Sequence, residues 1–129
     1  MTNRELDRRI AEAIEPEPTG GWYDRLDECA WWHWDQVSNR WQPKPFSTDA
    51  NLALRAAQAL CKKHGWRLTM EYHPCASEGE WAAYACEGEH DQPLGADVCD
   101  DSFPLALCRA LVGALEGDQA PAGRGEETA

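Results

Sequence analysis

The sequence predicts an α+β (or α/β) fold: a small sheet of three to four strands with helices on both faces. Three observations carry this. Residues 49–72 switch from a helical pattern to strict alternation across a single glycine, Gly65. The N-terminus opens as an amphipathic helix with its own cap, and a nearly all-apolar helical run lies near the C-terminus. Amphipathic helices must bury one stripe, and alternating strands one face, so the two kinds of element cover each other.

Taken in chain order, Thr2 and Glu5 form a capping-box pattern ahead of a helix running to Ile14. Its apolar stripe is Leu6, Ile10, Ala13 and Ile14. Glu15 to Gly21 holds two prolines and two glycines and reads as a linker. Cys29 to Val37 reads as a strand, with Asn39 and Pro43-Lys44-Pro45 as turns. Ser47 or Thr48 is placed to cap the next helix, because a hydroxyl accepts from an unpaired N–H of the first turn. Asp49 to Lys63 contains neither Gly nor Pro, and Ala53, Ala57, Leu60 and His64 share one face. Gly65 supplies the left-handed stop. Trp66, Leu68, Met70 and Tyr72 then alternate with Arg67, Thr69 and Glu71, which is a strand with one buried face; Pro74 ends it. A partner strand runs Glu80 to Cys86. Gly88 to Asp101 reads as an acidic loop containing Pro93 and Gly95. Ser102 caps a last helix, with Pro104 in its first turn and Leu105 to Leu115 apolar on nearly every face except at Arg109.

A chain of 129 residues is one domain by length, assigned here to residues 1–116, followed by a flexible acidic tail at 117–129. The net charge of −11, from 12 basic and 23 acidic side chains, argues against binding to a phosphate backbone. Such a surface suits solubility, or a basic groove on another protein. The first 15 residues carry seven charges and no apolar run, unlike a signal peptide, and nothing approaches the ~20 apolar residues of a membrane span. The expectation is a cytoplasmic protein with its six cysteines reduced.

Two compositional features point to sites. Seven tryptophans are present, three of them in Ala30-Trp31-Trp32-His33-Trp34. On a strand Trp32 and Trp34 share one face, and Trp31 and His33 the other. Either one face is exposed for recognition, or both are sealed between helical layers. The four histidines each lie near a cysteine, and His73, Cys75, Cys86 and His90 form the set that a hairpin is expected to bring to neighbouring ends. Zinc is the metal that set would suit, although the spacings are not those of paired zinc ligands. Buried free cysteine is the competing account, and it fits Cys61 and Cys108 on Ala- and Leu-rich helices. Cys75 with His73 is the only local nucleophile–base pair, and no catalytic motif surrounds it. The expectation is therefore a non-enzyme without a required cofactor.

Three segments carry a family resemblance: Asn3-Arg4-Glu5-Leu6-Asp7, Phe46-Ser47-Thr48-Asp49, and Phe103-Pro104-Leu105-Ala106-Leu107-Cys108-Arg109-Ala110-Leu111. Over residues 2–116 the chain resembles the phage ABA sandwich domain of small phage and prophage proteins. That resemblance implies a three-layer α/β/α sandwich and no established activity. Together with size and acidity it leads to the expectation of a phage accessory protein in the host cytoplasm. It would bind a host protein, with a nucleic-acid-binding defence component as favoured partner, and neither nucleic acid nor membrane directly. The candidate contact residues are Trp31, His33, Trp41, Asp91, Asp97, Asp100 and Asp101. Two alternatives stay open: a nucleotide- or small-molecule-sequestering module, with Arg67 or Arg109 toward phosphate, and a virion assembly protein.

Overall fold

The computed structural model describes residues 1–20, 30–74, 79–88 and 93–118, the side chains of Ala96, Asp97 and Asp118 excepted. Helix α1 spans Asn3–Ile14 and begins with the full capping box: Glu5 N–H donates to Thr2 Oγ1 at 3.1 Å, and Thr2 N–H donates to Glu5 Oε2 at 2.7 Å. It buries Leu6, Ile10 and Ala11, and also Asp7. A hairpin follows, β1 (Trp32–Asp35) against β2 (Arg40–Pro43). The strand expected over 29–37 is shorter than that at both ends, with Cys29 outside the described residues. β2 lies between the turns expected at Asn39 and at Pro43-Lys44-Pro45, where the sequence pattern predicts no strand. Its Pro43 closes the ladder, at the last position of the strand.

Helix α2 spans Ala50–His64. Its cap is Asp49, whose Oδ1 accepts from Leu52 N–H at 3.1 Å, and not Ser47 or Thr48. Those two residues instead belong to a 3-10 turn, Phe46–Thr48, which buries Phe46 and Ser47 against the core. The helix ends at Gly65, with φ +74°, whose N–H returns to Cys61 O at 2.7 Å. Strand β3 (Trp66–His73) then pairs without interruption with β4 (Glu80–Glu87).

The region expected as an acidic loop contains strand β5, Pro93–Asp100, antiparallel to β4. Proline and glycine are loop signals by composition. Both are compatible with an edge strand: Pro93 is its first residue, and Gly95 (φ +75°) lies in a bulge where the register shifts opposite Ala83/Ala85.

Helix α3 runs Phe103–Asp118, two residues past the boundary assigned from sequence. Ser102 Oγ accepts from Leu105 N–H at 3.4 Å. Small residues Ala106 and Ala110 meet Ala83 of β4 on one side. Leu107, Cys108, Leu111 and Leu115 join Leu6 and Ile10 of α1 and Ala53, Ala56 and Leu60 of α2 on the other. An all-round apolar helix belongs between two layers, and α3 occupies that place.

The class is therefore the expected α+β sandwich, antiparallel throughout the described residues. The layers run sheet, α3, then α1 and α2. The helical layers expected on both faces of the sheet gather on one. The physical reason lies in the strands: Arg67 and Glu71 on β3 and Cys99 on β5 are exposed on the opposite face, and no described helix covers them. No helix among the described residues is long and apolar enough to cross a membrane.

Candidate functional site

The β1–β2 hairpin gathers more of the chemistry than any other element. Its inner face is anchored by indoles. Trp32 is buried, donates Nε1–H to Glu15 O at 3.0 Å, and lies under the Arg8 guanidinium at 5.6 Å. Trp41 is buried and donates Nε1–H to Gly20 O at 2.9 Å. Each buried donor is thus satisfied by a carbonyl of the segment that follows α1, which fixes the hairpin to that helix. Trp34 packs edge-on to Trp41 at 5.5 Å and stays half-buried.

The tip is shaped by Asp35. Its carboxylate accepts from Val37 N–H at 3.0 Å and from Ser38 O–H at 2.8 Å, and these bonds hold its pKa below the ordinary carboxylate value. Asn39, at φ +58°, completes the turn with the left-handed residue type best suited to it. The consequence is that Val37 is held out at 96% exposure, with no apolar neighbour to cover it.

Beside the hairpin runs a groove of about 320 Å³. Arg4, Asp7, His33, Asp35 and Gln42 line it, and Arg4 Nη2–H donates to Gln42 Oε1 at 2.6 Å. At its floor Asp7 accepts from Ser47 N–H at 2.8 Å. Burial raises the Asp7 pKa, and that bond opposes the rise. Ser47 Oγ is sealed next to the same carboxylate, short of strict hydrogen-bond geometry but close enough that its hydroxyl also opposes the rise. Cys108 is buried deeper in the core; desolvation, with the Asp7 charge adding to it, pushes its thiol up to about 12. Burial raises Cys61 as well. Both cysteines are therefore inert packing residues, since the thiolate is the reactive form. A second pocket, of about 200 Å³, is lined by Ala30, Trp31, Lys44 and Arg55.

The residues expected at a contact surface divide. Trp31 is half-buried, its ring 6.1 Å from Phe46, and His33 is exposed. Trp41 is corrected from contact residue to anchor, because its indole is used inward. Asp100 is corrected likewise: its carboxylate accepts from Ser102 N–H at 2.9 Å and from Arg109 at 2.8 Å, so it builds the β5–α3 corner. Asp101 is exposed. Asp91 and the Asp97 side chain lie outside the described residues. Val37 is the residue that sequence reasoning missed. The signal was the Asp35-x-x-Ser38-Asn39 turn chemistry, which fixes a hairpin tip and exposes whatever sits inside it.

The proposed zinc set is not brought together by its described members. His73 pairs with Glu80 at one end of β4, while Cys86 pairs with Arg67 at the other. Six residues of strand separate the two positions, about 20 Å at ~3.3 Å per residue. His73 instead lies 3.4 Å from Glu71. Cys75 and His90 are outside the described residues, and no cluster of three or more metal-type ligands occurs among the described ones. Arg109 is taken by Asp100.

The described acids are largely spread or paired: Glu12 and Glu17 with Arg8, and Glu116 with Arg9. The net charge of −11 is shared: segments 21–29, 75–78, 89–92 and 119–129 hold eight acidic side chains against Arg25 and Arg124, and the remaining residues hold 15 acidic against 10 basic. Comparison of the chain with family models, with curated proteins and with solved structures finds no match.

Proposed function

We propose that this chain is a small phage or prophage accessory protein that acts by binding a host protein through its β1–β2 hairpin. The observation that carries the reading is the way the hairpin is built. Two buried indoles fix it to the segment after α1, and Val37, His33, Trp31 and Trp34 are left at or near the surface. A rigid protrusion with aromatic and aliphatic anchors loses little entropy on docking and supplies concentrated apolar area. Segment 21–29, which leads into β1, adds three acids against one base, so a basic surface is the matching partner. A host defence component that normally holds nucleic acid presents such a surface. The resemblance to phage ABA sandwich domains supports the origin, and does so independently of the hairpin.

The test is affinity capture from host lysate at low salt with mass-spectrometric identification. The expected result is enrichment of a protein with a basic groove, released as salt rises. The Val37→Asp and Trp34→Ala exchanges should each reduce capture while circular dichroism is unchanged. Equal capture by both variants would remove the hairpin from the account. A second reading is favoured by the Trp31, Lys44 and Arg55 pocket, whose indole and cations suit an anionic aromatic ligand such as a nucleotide. Saturable tryptophan quenching by nucleotides, lost in Arg55→Ala, would select it.

A further inference from the structure

The two edges of the three-stranded sheet are built differently. β5 begins at Pro93 and is broken by the Gly95 bulge, and both features spoil an edge as a template for another strand. β3 has neither. It is eight residues long, pairs with β4 in one unbroken register, and has no neighbouring strand on its outer side among the described residues. A straight strand of this length presents a row of backbone N–H and C=O groups to whatever lies alongside. Its helix-side residues are also incompletely covered. Leu68 and Met70 are half-buried, and Tyr72 is 51% exposed. Along this edge, apolar side chains are partly exposed and the outward backbone polar groups have no strand partner among the described residues.

The charges say what fits there. On the open face of the sheet, Arg67 and Glu71 stand two residues either side of Thr69. We infer that β3 is a homodimerisation edge, with two copies pairing their β3 strands antiparallel about a two-fold axis through Thr69. In that register each Arg67 faces the second copy's Glu71, so both ion pairs form at once. Leu68 faces the second copy's Met70, and Tyr72 covers its Trp66. Opposed residues in an antiparallel pair point to the same face, so the strands can slip only in steps that keep the faces matched. Centring on Leu68 sets Arg67 against Thr69. Centring on Met70 sets Arg67 against His73. Only the Thr69 register is complementary in charge, and a second copy is the one partner guaranteed to carry the matching sequence. The product is a continuous six-stranded sheet with the helical layers of both copies on one side.

Light scattering after size exclusion, over a range of protein concentrations, reads this directly. The full chain should reach twice its 14.5 kDa monomer mass. Arg67→Glu and Glu71→Arg each place like charges opposite one another twice, and each should raise the dimer dissociation constant by about tenfold. Combining the two restores complementarity and should recover the wild-type value. Both sites are exposed, so circular dichroism should show an unchanged fold. Amide exchange in 66–73 should slow as concentration rises, while exchange in 93–100 should not. A mass that stays monomeric up to the solubility limit overturns the inference. So does a dimer indifferent to the single exchanges, or a charge swap that fails to restore it.

Discussion

The close approach of α3 to β5 rests on one glycine, and replacing it is the sharpest test of the packing. A Cβ built on Gly95 would lie 2.7 Å from Gly113 O, 2.8 Å from Gly113 C and 3.2 Å from Gly113 Cα. All three are backbone atoms, so no side chain can rotate away, and helix and strand must separate. The residue is also at φ +75°, where an L side chain costs about 1–2 kcal/mol. Overpacking adds about 1–3 kcal/mol. Gly95→Ala should therefore destabilise by about 3 kcal/mol, which for this length lowers Tm by roughly 10 °C. The control is Gly113→Ala. Its own Cβ would meet nothing within 4 Å, and it lies inside a helix, so it should stabilise by about 1 kcal/mol. Urea denaturation followed by tryptophan fluorescence measures both. A Gly95→Ala protein within about 0.5 kcal/mol of wild type would refute the reasoning, because surface exchanges without such a contact fall in that range. Equal damage from the two exchanges would refute it as well.

Other consequences follow from single groups. Because the folded pKa of Asp7 lies above the ordinary 3.8, the folded state holds that proton more tightly. The stability tied to this group is thus greatest below 3.8 and falls as pH rises through the folded value. Asp7→Asn keeps an acceptor for Ser47 N–H and should be neutral or stabilising at pH 7, with the difference shrinking toward pH 4 in denaturation curves. Asp7→Ala orphans that buried N–H and should cost about 1–3 kcal/mol. Trp32→Phe loses the bond to Glu15 O and should cost about 1 kcal/mol in the same assay. Peptide mapping after brief alkylation at pH 8 should find exposed Cys99 modified and Cys108 untouched until the protein unfolds.

The elements legible in the sequence were those whose local rules agree. Thr2 with Glu5, Gly65, and the alternation from Trp66 to Tyr72 each specify their structure within a few residues, and each appears as expected. Where two signals competed, the tertiary context decided. Pro93 and Gly95 are turn residues by composition, yet an edge strand accommodates both. Ser47 is a good cap by type, but burial of Phe46 coils it into the preceding turn and hands the cap to Asp49. The layer order was not legible, because the run Leu105 to Leu115 says that α3 is covered all round and not by what. Of the site, the indole cluster was visible. Which indoles face inward depends on carbonyls at Glu15 and Gly20, and no spacing rule encodes those. The separation of His73 from Cys86 has a similar origin: a hairpin brings strand ends together in pairs, and Cys86 belongs to the other pair.

The central claim is that the β1–β2 hairpin is the surface that meets a protein partner. Hydroxyl-radical footprinting of the captured complex against the isolated chain tests it directly. Protection should concentrate at Trp31, His33, Trp34 and Val37, with Tyr72 unchanged by the partner. Protection that falls elsewhere and leaves Val37 as reactive as in the isolated chain would contradict the account.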